Sequence, residues 1–151
     1  KLIPNSTKIY KIEENGHTYA AKGEGQAKVT REGNKVHVYM TAIRSHFNPD
    51  NIEGVKMGDE VYFHVTNLEQ DWDVPHGFAV KGAVNAELLI MPGETQTLKW
   101  VPDRVGIFPM YCTDFCSALH QEMSGYIRVS PKGSSVPLSF SLGKTKPIAK
   151  N

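Results

Sequence analysis

The sequence predicts an all-β protein, folded as an antiparallel sandwich or barrel, and three observations support this. Short runs of alternating apolar and polar residues recur along the middle of the chain. Clusters of Gly, Pro, Asn and Asp separate these runs, and no stretch as long as an ordinary helix has helical periodicity. The 151 residues suffice for one domain with a buried core and are too few for two ordinary domains.

The first strongly alternating run is 35–43, KVHVYMTAI, which places Val36, Val38 and Met40 on one face of a strand. The run 60–68, EVYFHVTNL, has the same pattern. Further short strands are predicted at GFAVKG (77–82), TQTLKWV (95–101), GIFPMY (106–111) and SGYIRVS (124–130). The turn signals between them are FNPDN (47–51), KMGDE (56–60), MPGET (91–95) and VPDRVG (101–106).

The two ends of the chain differ in composition from this middle region. Residues 1–26 are polar and dotted with glycine, and we expect an N-terminal arm or linker with one short strand. Residues 27–130 are predicted to form the domain itself. Residues 131–151 are rich in Ser, Pro and Lys, which is typical of an extended C-terminal tail. The chain opens without Met, so we interpret it as a mature form or as a domain of a longer protein.

The charge of the chain excludes two classes of partner. The formal net charge is +1 at pH 7, without the clustered basic surface that nucleic acids or anionic membranes attract. No apolar run approaches the roughly 20 residues that a membrane-spanning helix needs. We therefore predict no nucleic-acid partner and no membrane span.

One short stretch, MYCTDFCSALHQEM (110–123), contains both cysteines of the chain. Cys112, Cys116, His120 and Met123 form the pattern C-x3-C-x3-H-x2-M in a loop between two predicted strands. Thiolate, imidazole and thioether are soft or borderline donors, and such a set suits copper better than magnesium or calcium. A single blue copper uses one Cys, two His and a weak Met, and would leave one thiolate over. Two thiolates can instead bridge two metals, each with its own histidine.

The second histidine would have to come from elsewhere, and DVPHGFAV (73–80) offers His76 at a loop-to-strand junction. An early loop and a late Cys/His/Met loop meet at one end of a Greek-key sandwich. The alternative is that His76 is an ordinary surface histidine. For the cysteines the alternative is a structural disulfide, but the loop it would close is very short, and we expect thiolate ligands instead.

On these residues the sequence resembles the CuA-type cupredoxin domain of nitrous-oxide reductase. The matching pieces lie within residues 35–130 and are VYMTAI, GDEVYFHVTN, HGFAV, MPGETQTLKWVPDRVGIF and YCTDFCSALHQEMSGYIRV. The copper subunit of cytochrome oxidases shares the ligand pattern, but its loop more often reads C-S-E-x-C-G-x-x-H and membrane helices precede its domain. The resemblance implies an all-β cupredoxin Greek-key sandwich with an N-terminal arm and a C-terminal tail.

The resemblance also implies a dinuclear centre with two coppers per chain. The six implied ligands are His76, Cys112, Asp114, Cys116, His120 and Met123. Both cysteines would bridge the coppers as thiolates. One copper would take His76 and, weakly, Met123, and the other would take His120 and, weakly, the main-chain carbonyl of Asp114. The family often has Trp at position 114, and the aspartate here should lower the reduction potential or alter partner docking.

The function implied by the resemblance is one-electron transfer in the periplasm. A c-type cytochrome or similar small donor would supply electrons, and a catalytic copper cluster in a propeller domain, from a second subunit of a homodimer, would accept them. That cluster needs many histidines, and this chain has six, so the chain should not reduce nitrous oxide alone. The alternatives are an oxidase domain, a free-standing electron carrier, a copper chaperone, or a zinc site made from the same donors.

Residues near His76 suggest how a partner could bind. Glu69, Asp71 and Asp73 surround Trp72 in sequence, and this acidic loop could dock a basic redox partner, with the alternatives of a solvated turn and a packing tryptophan. Glu69 and Asp73 are also candidate hydrogen-bond partners for the His76 ring. Of the other histidines we single out His46, in RSHFNP, because this loop is expected near the metal.

Overall fold

The computed structural model describes residues 2–3, 9–14, 17–22, 27–43, 46–69, 75–82, 87–113 and 124–142. These residues form fourteen strands and no helix. The strands are β1 (Leu2–Ile3), β2 (Ile9–Glu14), β3 (His17–Lys22), β4 (Lys28–Glu32), β5 (Lys35–Ile43), β6 (His46–Asn48), β7 (Asn51–Lys56), β8 (Glu60–Asn67), β9 (His76–Val80), β10 (Leu88–Ile90), β11 (Thr95–Trp100), β12 (Gly106–Tyr111), β13 (Ser124–Ser130) and β14 (Ser139–Ser141).

Two six-stranded sheets make up the sandwich. The first has the order β1-β11-β8-β5-β4, with β6 paired to β5, and the second has the order β10-β9-β12-β13-β7-β14. Most pairs are antiparallel, but β5 pairs with β8 and β13 pairs with β7 in parallel. The predicted all-β sandwich is therefore confirmed, with these two parallel pairs as a feature that alternation alone does not indicate.

The core lies between the two sheets, where the alternating residues meet. Val36, Val38 and Met40 of β5 are buried, as the sequence pattern predicts, and so are Val61, Phe63 and Val65 of β8. The Phe78 ring of the second sheet contacts the rings of Phe47 and Phe63 from the first, with centroids 5.6 and 5.2 Å apart. Because these contacts join the sheets, burying them stabilises the sandwich as a unit.

Both ends of the chain contain more strand than the sequence indicates. Strand β1 pairs with β11, and β2 pairs with β3 as a hairpin, so the described residues of the N-terminal segment form three strands where we expected one. In the C-terminal segment β14 pairs with β7 and extends the second sheet. The proposed boundaries at 26/27 and 130/131 stay predictions.

No helix that could cross a lipid bilayer occurs in the part of the chain that the structure describes.

A stack of histidine and tyrosine rings covers the outer face of the first sheet. His37 and Tyr39 of β5 stand beside Tyr62 and His64 of β8, and neighbouring rings lie 4.9 to 6.3 Å apart with nearly parallel planes. A ring nitrogen of His37 lies 2.9 Å from one of His64, whose other nitrogen lies 2.8 Å from the hydroxyl of Thr97. Burial, and then the charge of His37, lowers the pKa of His64 to about 4.

This lowered pKa predicts that the fold loses stability in acid. The unfolded chain takes up a proton near pH 6.5, whereas folded His64 takes it up only near pH 4, so stability is lost as the pH falls through this interval. The loss should reach up to about 3 kcal/mol. Chemical denaturation of the parent and of His64→Gln at several pH values checks this. The variant should lack most of the decline, and an equal decline in both proteins would contradict the assignment to His64.

Candidate metal centre

Three strands bring the predicted ligand segments to one end of the sandwich. Strand β9 begins at His76, and β12 ends at Tyr111, whose register partners are Ala79 of β9 and Ser124, the first residue of β13. The connection 112–123 therefore leaves β12 and returns to β13 at the end where β9 begins. We call this the His76 end of the sandwich.

His76 is a buried residue and not a surface histidine, and its role as a metal ligand stays a prediction. Its side chain is fully buried, at 0% relative exposure, and its Nε2 lies 2.9 Å from Oε2 of Glu69, which is also buried. Because a carboxylate accepts, Nε2 carries the proton and Nδ1 presents a lone pair. That buried Nδ1 has no hydrogen-bond partner among the described residues. An orphaned nitrogen is costly in a protein interior, and binding a soft or borderline metal would use its lone pair.

Cys112 lies directly after β12 at the same end and is buried against the core, with 6% of its surface exposed. It takes part in a disulfide bond. The sequence contains one other cysteine, Cys116, which lies outside the described residues. A disulfide and a pair of thiolate ligands are two oxidation states of the same cysteines, so copper binding requires the reduced pair. The predicted role as thiolate ligands stays a prediction for the reduced protein.

Of the six predicted ligands the structure brings His76 and Cys112 to one end. The other four, Asp114, Cys116, His120 and Met123, lie outside the described residues, and their roles stay predictions. Within the described ranges there is no group of three or more His, Cys, Asp or Glu side chains that could hold a metal ion. Asp71, Trp72 and Asp73, and the side chain of His46, also lie outside the described residues, so the predictions made for them stay predictions.

The two predictions for Glu69 have opposite outcomes. Its expected hydrogen bond to the His76 ring is confirmed at 2.9 Å. Its expected role in an exposed acidic docking loop is wrong, because its side chain is buried and turned inward onto His76. A partner could not meet this carboxylate at the surface.

Sequence reasoning overlooked Asn67, the last residue of β8. It is completely buried and occupies the position after Val65 in the core-facing alternation of that strand. A buried amide at an otherwise apolar position must satisfy its hydrogen bonds within the protein. The polar residue at this inward position was the signal that could have revealed it.

Comparison with known proteins gives several relatives. The chain is 43% identical over 104 residues to nitrous-oxide reductase of Stutzerimonas stutzeri, a match that covers 69% of this chain and 16% of that protein. It is 36% identical over 104 residues to cytochrome c oxidase subunit 2 of Thermus thermophilus, covering 69% of this chain and 73% of that subunit. The chain thus spans about one sixth of the length of the reductase and most of the length of the oxidase subunit. No family model matches.

Solved structures show the same fold at lower identity. One chain of a heme-copper terminal oxidase dimer superposes with a TM-score of 0.59 at 22% identity, and the match covers 70% of this chain and 71% of that oxidase chain. Auracyanin A, a blue copper protein from Chloroflexus aurantiacus, superposes with a TM-score of 0.53 at 14% identity, covering 64% and 99%. These likenesses place the sandwich among the cupredoxin folds.

Proposed function

Because this chain belongs to the family of CuA-type cupredoxin domains shared by nitrous-oxide reductase and cytochrome c oxidase subunit 2, we propose that it transfers single electrons through a dinuclear copper centre. The observation that carries this proposal is His76, a buried imidazole with one nitrogen bound to Glu69 and the other without a partner among the described residues. The predicted donor set of two cysteines, two histidines and a methionine suits copper.

The residues that would hold the metals are those of the predicted set. His76 would offer Nδ1, and Cys112 would offer its thiolate from the end of β12, together with Cys116, His120, Met123 and the carbonyl of Asp114. When bound there, a copper pair would accept one electron and release it again, with no bond made or broken in a substrate.

The protein would hold the ligands in fixed orientations and exclude water from them. Glu69 accepts a hydrogen bond from the Nε2–H of His76 and so fixes the tautomer and the ring orientation. The buried strand β9 and its half-exposed neighbour β12 would hold His76 and Cys112 on rigid elements, which limits the rearrangement that accompanies each electron transfer. Burial of His76 and Cys112 excludes water from this side of the centre.

We propose that a c-type cytochrome or a similar small donor reduces the centre, and that the electron passes to the catalytic copper cluster of a nitrous-oxide reductase. In that arrangement the acceptor is a propeller domain, contributed by the second subunit of a homodimer in the periplasm. The 43% identity to the Stutzerimonas stutzeri reductase supports this assignment. The loop sequence F-C-S-A-L-H-x-E-M, which resembles that of the reductases, supports it as well.

A second candidate is the copper domain of a cytochrome oxidase or a free-standing carrier of the same type. The match that covers 73% of the Thermus thermophilus oxidase subunit favours it. Both candidates share the copper centre and differ in the acceptor of the electron.

Stopped-flow mixing with a reduced c-type cytochrome tests the electron-transfer function. The oxidised, copper-loaded parent should oxidise the cytochrome in a rapid phase. The Cys112→Ser variant, treated with copper in the same way, should not. Purified chain should not turn over nitrous oxide by itself. Absence of any cytochrome oxidation by the fully loaded parent would refute this choice of donor, and measurable turnover of nitrous oxide would refute the role as an electron-transfer domain alone.

A further inference from the structure

We propose that Asn67 is a positioning residue of the metal centre, whose single buried amide fixes both the main chain of Glu69 and the strand that lies beside His76. The link to copper rests on the proposed function. The geometric claim, that Asn67 holds the His76 ring in one orientation, concerns this chain alone and is measurable without metal.

The hydrogen bonds of Asn67 anchor it from several sides. Its side-chain Oδ1 accepts the N–H of Glu69 at 2.8 Å, and its Nδ2 donates to the carbonyl of Ile90 at 2.9 Å. In the main chain, its N–H donates to the carbonyl of Glu94 at 2.9 Å, and its carbonyl accepts the N–H of Gly93 at 2.8 Å. An amide so bonded and fully buried has little freedom to move.

The bond to the Glu69 N–H fixes the start of the loop that leaves β8. A side-chain oxygen that accepts the N–H two residues later forms an Asx turn, which restricts the backbone between the two residues. Glu69 is thus held at its main chain by Asn67, while its carboxylate holds His76.

The bond to Ile90 crosses from the first sheet to the second. Asn67 belongs to β8, whereas Ile90 is the last residue of β10 and the register partner of His76 in the β9–β10 pair. The contacts therefore close a ring that runs from Asn67 to Glu69, to His76, across the ladder to Ile90, and back to Asn67. In such a ring, moving the Glu69 main chain away from Asn67, or β10 away from β8, would break a buried hydrogen bond, which disfavours displacement of Glu69 relative to His76.

Few side chains could replace Asn67 in this ring. The position needs an acceptor for one main-chain N–H and a donor for one main-chain carbonyl on the same short side chain. Aspartate lacks the donor and would place a charge against the Ile90 carbonyl, and alanine lacks both groups. Either change would leave buried main-chain groups unpaired.

The test compares Asn67→Ala with Thr66→Val in the reduced, metal-free protein. Thr66 is the neighbouring residue on the opposite face of β8, is buried, and bonds through its hydroxyl to Thr95 at 2.6 Å, so it serves as a matched loss of a buried hydrogen bond. Nitrogen-15 NMR of the imidazole, at one fixed pH, reports the tautomer of His76 and the exchange of its Nε2 proton with water.

The parent and Thr66→Val should each show a single Nε2–H tautomer with a slowly exchanging proton. Asn67→Ala should show mixed tautomers and proton exchange faster by about tenfold or more, the factor expected when one or two buried hydrogen bonds are lost. Should Asn67→Ala fail to fold, Asn67→Ser provides the same comparison with a weaker acceptor and an intermediate effect.

Two outcomes would overturn the proposal. One is an unchanged His76 signal in the Asn67 variants, and the other is an equal change in Thr66→Val at matched stability, which would assign the effect to general loosening. If the parent failed to bind copper, the proposed function would fall while the NMR comparison still decided the role of Asn67. In the copper-loaded proteins the Asn67 variants, but not Thr66→Val, should show a shifted reduction potential.

Discussion

Replacing Cys112 with serine is expected to abolish the proposed dinuclear copper centre completely. A bridging thiolate would bind both metals, so its removal would take one ligand from each copper, and a serine hydroxyl is a poor, hard substitute for it. Metal analysis of protein whose cysteines were reduced before copper loading, with absorption and magnetic spectra of the centre after one-electron oxidation, measures the effect. The same result is expected for Cys116→Ser.

Met123→Leu is the matched control for the cysteine variants. The thioether is predicted to be a weak ligand, so this variant should retain its coppers and show only a shifted potential. If Met123→Leu emptied the centre, or if Cys112→Ser kept both coppers, the division into bridging and weak ligands would be incorrect.

Gly125→Ala is expected to have the largest effect on stability. A Cβ at this position would lie 2.7 Å from the carbonyl carbon and 2.9 Å from the Cα of Asp50, and closer still to its carbonyl oxygen. That carbonyl accepts the N–H of Tyr126 at 2.8 Å, and the N–H of Asp50 donates to Ser141 at 3.0 Å, so the backbone is held in place. We expect a loss of about 3 kcal/mol or more in the free energy of unfolding.

Denaturant unfolding of Gly125→Ala checks this, with Gly133→Ala as the control. A Cβ at Gly133 would meet no atom within 4 Å, so that variant should differ little from the parent. Gly125 is the second residue of β13, directly after the predicted ligand segment, so the variant should also load less copper. Parent-like stability of Gly125→Ala would show that the approach of Asp50 to β13 is not as close as described.

Alternation along the chain predicted the sides of strands but not their partners. The alternation of apolar and polar residues correctly predicted which residues of β5 and β8 face the core, namely Val36, Val38 and Met40 in β5 and Val61, Phe63 and Val65 in β8. The parallel pairing of these same strands depends on contacts between distant segments, which periodicity does not encode. The hairpin β2–β3 was missed because its two strands, IYKIEE and HTYAAK, do not alternate regularly between apolar and polar residues.

The residues of the candidate site that could be predicted from the sequence are those whose side chains are themselves typical metal ligands. The donor pattern around Cys112 and the histidine of HGF indicated copper before any fold was known. The neighbours that orient His76 were harder to assign, because Glu69 could equally have faced a partner and Asn67 read as an ordinary strand residue. Asn67 and Glu69 point inward because the residues at the end of β8 and just after it are buried. That burial depends on the tertiary packing of distant segments, which the local sequence does not reveal.

Copper content per chain, measured together with the spectrum of the oxidised centre in protein whose cysteines were reduced before copper loading, tests the central claim most directly. The account predicts two coppers per chain and the purple, mixed-valence spectrum of a pair that shares one unpaired electron, lost in Cys112→Ser and retained in Met123→Leu. One copper per chain at full occupancy, with the spectrum of a single blue copper, would contradict it.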